Sequence, residues 1–331
     1  MKNIFITGGA GYIGSHCAIS LINNNYTPII IDDFSNSQKT VINQLKKITN
    51  KKIIFYDLNI SNKKKLSSLF AKHKCDAVIH CAGFKAVGES VKKPIYYFDN
   101  NIGSTLSLLE CMQNHRIHKL IFSSSATIYN DYQPLPYKES SKIGDTKNPY
   151  GTSKYVIERI LMDLAKFDKK WSIRIARYFN PISNHSSGLI KEHPKGIPNN
   201  LIPYITMVAQ KKISSLKVFG KNYQTKDGTG IRDYIHVMDL ADAHVAMLKK
   251  NKMKKGLKIY NLGTGKGISV LDAIKSFEKQ IGISIPYKFV KRREGDSATS
   301  YCSSLKAHKE LKWKSKYDFN QAMKDIKKTI S

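Results

Sequence analysis

Tyr150 and Lys154 bracket the run Tyr150-Gly151-Thr152-Ser153-Lys154, and Ser123-Ser124-Ser125 lies twenty-five residues upstream of the tyrosine. Side chains at i and i+4 share one face of a helix, so the ammonium can approach the phenol and favour its ionised form. Ser125, closing a strand, would face that helix. A free phenol has a pKa of about 10, and each unit of depression represents about 1.4 kcal/mol of preference for the phenolate. A lysine alone falls short of bringing it near neutrality. With a second positive charge on a bound group, the phenolate becomes a base able to take the proton of a sugar hydroxyl.

The elements that would position such a group open the chain. Lys2 to Thr7 reads as a short buried strand, followed by Gly8-Gly9-Ala10-Gly11-Tyr12-Ile13-Gly14 and the apolar-periodic segment carrying Ala18, Ile19, Leu21 and Ile22. Gly9, Gly11 and Gly14 satisfy G-x-G-x-x-G; Gly8, Gly11 and Gly14 satisfy the wider G-x-x-G-x-x-G of short-chain dehydrogenase-like proteins. Such a loop admits a pyrophosphate to a helix N-terminus. A second strand, Pro28 to Ile31, ends at Asp32-Asp33, eighteen residues after Gly14. An acid there accepts from the adenosine 2′-hydroxyl and repels a 2′-phosphate, which selects NAD over NADP. Oxidised nicotinamide supplies the missing positive charge.

The chain has 331 residues with 41% hydrophobic content, enough for two domains or one large one. No apolar stretch of about twenty residues offers a membrane span, and strand β-pattern begins at once without a charged and apolar leader, so a cytoplasmic protein is expected. Cys17, Cys75, Cys81, Cys111 and Cys302 are odd in number and lack C-x-x-C spacing. They read as reduced thiols, with neither a disulfide framework nor a metal site indicated. The net charge of +30 could suggest nucleic-acid binding, but the lysines are dispersed and only seven residues are arginine. Lysine, asparagine, isoleucine and tyrosine are the residues A/T-rich codons supply, and no specific nucleic-acid partner is expected.

Strand and helix patterns then alternate. Ile53 to Tyr56 ends at Asp57-Leu58, Ala77 to His80 runs into Cys81-Ala82-Gly83, Leu120 to Phe122 ends at the serines, and Ser172 to Tyr178 ends at Phe179-Asn180. These features predict an α/β fold of the Rossmann type, a doubly wound parallel sheet whose C-terminal edge forms the ligand crevice. The helical spacings of Ile102, Leu106, Leu109 and of Ile157, Ile160, Leu161, Leu164 are core patterns that could also serve self-association. After Asn180 prolines and glycines become frequent. The expectation is a dinucleotide-binding domain over 1–180 and a smaller α/β substrate domain over 181–331, with segments such as 236–247 returning to the first.

Longer motifs narrow this reading. Thr7 through His16, Ala82 through Ser90, Ser123 through Thr127 with Tyr129, Arg177 through Pro181, Gly196 through Leu201, Asp227 through Gly230, Arg232 through Val237 and Tyr260 through Gly263 resemble the UDP-glucose 4-epimerase family of the extended short-chain dehydrogenase/reductase superfamily. The resemblance covers nearly the whole chain. It implies an isomerase that interconverts UDP-galactose and UDP-glucose, with Tyr150 removing the C4 hydroxyl proton as hydride passes to NAD. The 4-keto sugar then turns, and hydride returns to its other face. By the same resemblance Lys154 holds the nicotinamide ribose and Ser125 binds the sugar oxygen. Gly8, Gly11, Tyr12, Ile13, Gly14, Asp32, Asp33, Phe34, Ser35, Asn36, Ser37, Asp57, Leu58, Cys81, Ala82, Gly83, Phe84, Lys85, Asn100 and Phe179 would line the cofactor. Asn180, Asn200, Leu201, Val218, Phe219, Arg232, Arg293 and Asp296 would hold the UDP-sugar, the arginines facing its diphosphate. A homodimer joined through helices near 100–114 and 149–166 is also implied.

Some positions depart from the family pattern. Asp33 replaces a usual asparagine and makes NADP less welcome still, and Ser183-Asn184 replaces a small pair. Ser300, four residues after Asp296, stands where members restricted to glucose and galactose tend to carry tyrosine. A small residue there leaves room for an acetamido group, so UDP-GlcNAc and UDP-GalNAc are expected as further substrates. Two alternatives share the fold. A nucleotide-sugar 4,6-dehydratase needs an added acid beside Thr127, and Ser125-Ala126-Thr127 contains none; a non-catalytic dinucleotide-sensing regulator would not need Ser125, Tyr150 and Lys154 intact.

Overall fold

Isoleucine-rich runs such as Ile29-Ile30-Ile31 are buried on both faces, as strands in the middle of a parallel sheet require. In the computed structural model, which describes residues 1–131, 133–192, 198, 200–249, 253–293 and 296–330, they belong to such a sheet. The first half runs β1 (Lys2–Thr7), α1 (Tyr12–Asn23), β2 (Tyr26–Asp32), α2 (Thr40–Thr49), β3 (Ile54–Asp57), α3 (Lys63–Lys72) and β4 (Ala77–His80). Two short helices follow, α4 (Val87–Lys92) and α5 (Pro94–Phe98), then α6 (Ser104–Asn114), β5 (Lys119–Ser125), α7 (Pro149–Phe167) and β6 (Ser172–Tyr178).

The remainder comprises β7 (Asn180–Ile182), α8 (Leu201–Ala209), β8 (Leu216–Phe219), β9 (Ile231–His236), α9 (Val237–Leu248) and β10 (Gly256–Leu262). It continues with β11 (Gly267–Ser269), α10 (Val270–Ile281), β12 (Tyr287–Val290), β13 (Thr299–Ser300), α11 (Leu305–Leu311) and α12 (Phe319–Lys327). The main sheet has the order β10-β6-β5-β4-β1-β2-β3, parallel throughout. The expected doubly wound sheet is therefore the one that forms. Its strand order reverses between β1 and β4, and ligands bind outside the strand ends at such a point.

Each face of the sheet carries its own core. On one, Cys17, Ala18 and Leu21 of α1 pack with Leu240, Ala241 and Leu248 of α9; on the other, Leu108 and Met112 of α6 meet Ile157 and Leu161 of α7. The segment 236–247 packs on the main sheet's layer, with α9 lying along α1, and β10 joins the main sheet beside β6. A separate cluster, built on Ile205, Val218, Ile274, Phe277 and Met323, organises α8, β8, α10 and α12 into a second unit. There β9 is flanked by β7, β11 and β13, and β8 pairs with β12. Among the described residues no helix is long and apolar enough to cross a membrane.

Candidate functional site

Asn148 starts α7 by accepting the Gly151 amide on its side chain at 2.9 Å, and Pro149 fits the first turn, where its missing N–H is not needed. Tyr150 and Lys154 are consequently one turn apart, and Ser125 is the last residue of β5 opposite them. Ser125 shares a cavity wall with Tyr150 and accepts from the Thr127 hydroxyl at 3.0 Å. Burial raises the pKa of the phenol, and Ser125 pulls it part of the way back. The direct help expected from Lys154 takes another form. Its Nζ donates to the Ser123 carbonyl at 2.8 Å and lies over the Phe122 ring, while burial lowers its own pKa to about 8. In this state the lysine is aimed at the strand end beside Gly83.

What sets this geometry was invisible in the spacing of the triad. Glu158, one turn beyond Lys154, is fully buried and pairs with Arg177 of β6 at 2.7 Å, while accepting from the Ser124 hydroxyl at 2.5 Å. Burial acts to lower the Arg177 pKa, but Glu158 overrides it and holds the guanidinium charged. The ion pair therefore clamps α7 to the ends of β5 and β6, which fixes Tyr150 relative to Ser125. Its signal in the sequence was an acid four residues after Lys154, a spacing also common on exposed helices.

A crevice of about 110 Å³ opens beyond β1, β2 and β4. Gly8, Gly11, Asp32, Asp33, Ser35, Asn36, Ser37, Leu58, Cys81, Ala82, Gly83, Phe84 and Asn100 line it. Gly8 has φ +67°, and a Cβ on it would meet the Ala82 nitrogen at 2.7 Å; a Cβ on Gly14 would lie 2.2 Å from the Gly8 carbonyl oxygen. The close approach of the loop to α1 thus depends on these glycines. No side chain caps the N-terminus of α1, which leaves its partial positive charge facing the crevice. Asp32 accepts from the Ala10 and Phe34 amides, each at 2.9 Å, and from Ser37 at 2.7 Å. Asp33 accepts from Asn59 at 2.8 Å. Glycine cradle, uncapped helix and paired acids fit a dinucleotide with a free ribose hydroxyl.

Gly14, Phe34, Asp57 and Lys154 line neither this crevice nor the larger cavity beside it. Gly14 is packed behind Gly8, Phe34 sits edge-on to Phe55, and Asp57 turns to Lys39 at 2.7 Å. Tyr12, Ile13, Lys85 and Phe179 line the larger neighbouring cavity, together with Ser125 and Tyr150.

That cavity has a volume of about 470 Å³ and runs from Tyr150 to the second unit. Asn180, Asn200, Leu201, Val218, Phe219, Arg232, Arg293, Asp296 and Ser300 all lie on its wall. The Arg293 guanidinium is 3.9 Å from the Phe219 ring centre, and Arg232 is paired with Asp296. Burial lowers the Arg293 pKa, Asp296 raises it, and the Arg232 charge lowers it again. Two cations in electrostatic contact on one cavity wall, Arg232 half-buried and Arg293 exposed, favour an anion between them. Residues absent from the sequence expectation also line this space: Thr127, Asp131, Lys147, Lys217 and Tyr234. Thr127 and Tyr234 fall within motifs named above without having been given a role; Asp131, Lys147 and Lys217 fall in none of them. Gly196, Ile197 and Asn199 fall within a motif named above but lie outside the described residues.

The profile of the NAD dependent epimerase/dehydratase family matches residues 4–263. The chain belongs to this family. Its NAD crevice and sugar-sized cavity agree with that membership. The chain is similar to the UDP-glucose 4-epimerase of Pasteurella multocida, with 50% identity over 322 residues, 97% of this chain and 95% of the relative. Among solved structures, UDP-glucose 4-epimerase from Bifidobacterium longum in complex with NAD+ and UDP has a TM-score of 0.96 at 46% identity, covering 99% of this chain and 98% of the other. The enzyme from Stenotrophomonas maltophila, with bound NAD and formylated UDP-arabinopyranose, has a TM-score of 0.97 at 41% identity, covering 100% and 98%.

Proposed function

We propose that this family member is a UDP-glucose 4-epimerase, interconverting UDP-galactose and UDP-glucose, with Tyr150 as the acid–base residue. The observation that carries the reading is a single cavity with the Tyr150 and Ser125 hydroxyls at one end and the Arg232 and Arg293 pair at the other. Bound NAD supplies a reversible hydride acceptor for C4 of the sugar. The residues of the chain supply the rest. Tyr150 Oη takes the C4 hydroxyl proton, Ser125 donates a hydrogen bond that steadies the developing charge, and Lys154, charged below about pH 8, adds a positive field at the cofactor side.

Arg232 and Arg293 hold the diphosphate while the hexose turns within the cavity, and Asn180, Asn200 and Phe219 hold the nucleoside. Tyr150 then returns its proton with C4 inverted. Asp32 and Asp33 select NAD through the ribose hydroxyl. Ser300, beside Arg232 in the β13–β9 pairing, leaves the wall open to an acetamido group, and this supports UDP-GlcNAc as a second substrate.

A homodimer is supported by exposed apolar residues on the helices flanking the site, namely Val91, Ile95, Tyr96, Leu106 and Phe167. Five free cysteines support residence in the reducing cytoplasm. The test is NMR of the protein with UDP-galactose and, separately, UDP-GlcNAc, without added NAD. Both C4 epimers are expected, and Tyr150→Phe should slow conversion by about 10²- to 10⁴-fold. Conversion of UDP-galactose alone removes the broader specificity. No conversion after NAD is added removes the epimerase reading.

A further inference from the structure

Cys17, Cys81 and His244 are far apart in the sequence, and their spacing gave no hint of a metal site. The fold brings their ligand atoms within 4.8 Å of one another. Cys17 lies on the buried face of α1, Cys81 follows β4 at the crevice, and His244 is buried on α9. The neighbouring Cys81 and burial both push the Cys17 thiol up, so Cys17 faces Cys81 in the protonated form.

The imidazole is preset for a ligand. Its Nδ1 lies 2.8 Å from the Leu240 carbonyl, which can only accept, so Nδ1 carries the proton. Nε2 therefore presents its lone pair, and the Tyr178 hydroxyl donates to it at 2.6 Å. Burial lowers the His244 pKa to about 4, which keeps the ring neutral at pH 7. Metal-binding histidines commonly have this arrangement, with the remote N–H fixed by a backbone carbonyl. The Tyr178 hydroxyl has to swing away to yield Nε2 to an ion.

We propose that Cys17, Cys81 and His244 form a binding site for one thiophilic metal ion, represented by Zn²⁺. Two thiolates and an imidazole are a soft donor set of the kind that selects zinc or copper(I) over magnesium or calcium. Metal–ligand distances of roughly 2.0–2.3 Å require the three donors to close in by about an ångström. Binding releases one proton from each thiol to solvent, and the two thiolates balance the charge of the dication. The bound ion would tie α1, β4 and α9 together directly behind the dinucleotide crevice.

The test is titration of the nucleotide-loaded protein, kept reduced with a phosphine, with Co²⁺ as the probe and Zn²⁺ as competitor. One equivalent per chain is expected to give thiolate-to-cobalt charge-transfer bands that Zn²⁺ abolishes and Mg²⁺ does not. Cys17→Ser should weaken Co²⁺ binding by at least about tenfold, since even outer-shell changes commonly cost that much; Cys111→Ser should leave it unchanged. If Cys17→Ser fails to fold, alkylation mapping of the wild-type chain gives the same decision. Zn²⁺ should protect the half-buried Cys81 from alkylation while Cys75, equally half-buried, reacts at its former rate. Absence of charge-transfer bands, unchanged binding by Cys17→Ser, or equal alkylation of Cys81 with and without Zn²⁺ would overturn the proposal.

Discussion

Replacing Lys154 by methionine should make the nucleotide-free protein more stable near neutral pH while removing most of its activity. Burial lowers the Lys154 pKa from 10.5 to about 8. At about 1.4 kcal/mol per pKa unit, keeping the ammonium charged in the fold at pH 7 costs about 3 kcal/mol. Methionine fills similar space without that cost, but leaves the Ser123 carbonyl without its present donor, a loss of about 1–3 kcal/mol. The net gain at pH 7 is therefore about 0–2 kcal/mol. The pH dependence is the sharper readout. Between pH 8 and 10.5 the unfolded lysine still binds a proton and the folded one does not, so wild-type stability rises through this window. The variant has no such contribution, and all other groups cancel in the difference. Urea unfolding of both proteins across pH 7 to 11 should show methionine's relative advantage falling by about 3 kcal/mol. Parallel stability curves would refute the claim that a strained ammonium is built into the site.

Three other substitutions probe different parts of the structure. Gly14→Ala places a carbon 2.2 Å from the Gly8 carbonyl oxygen, so it should cost more than about 3 kcal/mol and abolish retention of NAD, both measurable by thermal unfolding and nucleotide release. Glu158→Gln removes the charge that compensates buried Arg177; a loss of about 3–5 kcal/mol is expected in urea unfolding, together with a lower kcat as α7 shifts relative to β5. Ser300→Tyr should block UDP-GlcNAc conversion and leave that of UDP-galactose within a fewfold, as followed by NMR.

Local periodicity made much of the scaffold readable. The strand ending at His80 occupies the expected residues, because a buried parallel strand is a continuous apolar run closed by a small or polar residue; the one ending at Tyr178 does so as well, although Arg174 and Arg177 interrupt its apolar run. The placement of Tyr150 and Lys154 on one helix and of Ser125 at a strand end was legible for a similar reason, since helix pitch and strand termination are encoded nearby. Long-range pairing was not. Arg232-Asp233-Tyr234 looks like one polar motif, but strand alternation divides it: Arg232 lines the cavity, whereas Asp233 is fully buried and accepts from Thr264 and Gly265. The buried Arg177–Glu158 pair and the meeting of Cys17 with Cys81 likewise depend on which elements become neighbours. The sequence placed an ammonium near a phenol, but not the Ser123 carbonyl that holds the lysine.

The pairing of β6 with β10 also shapes how the chain is made. Ser172 meets Gly256, a partner 84 residues later, and the register continues to Tyr178 beside Leu262. At about 5–20 residues per second, a ribosome exposes that unfilled strand edge for roughly 4–17 s before its partner is synthesised. During this interval a nascent chain can find β6-like edges on its neighbours, the hazard of any unpaired apolar strand. Synthesis of β10 therefore closes the main sheet, with β11 to α12 still to follow, and the interval before it makes dense polysomes a riskier place for this protein than dilute refolding.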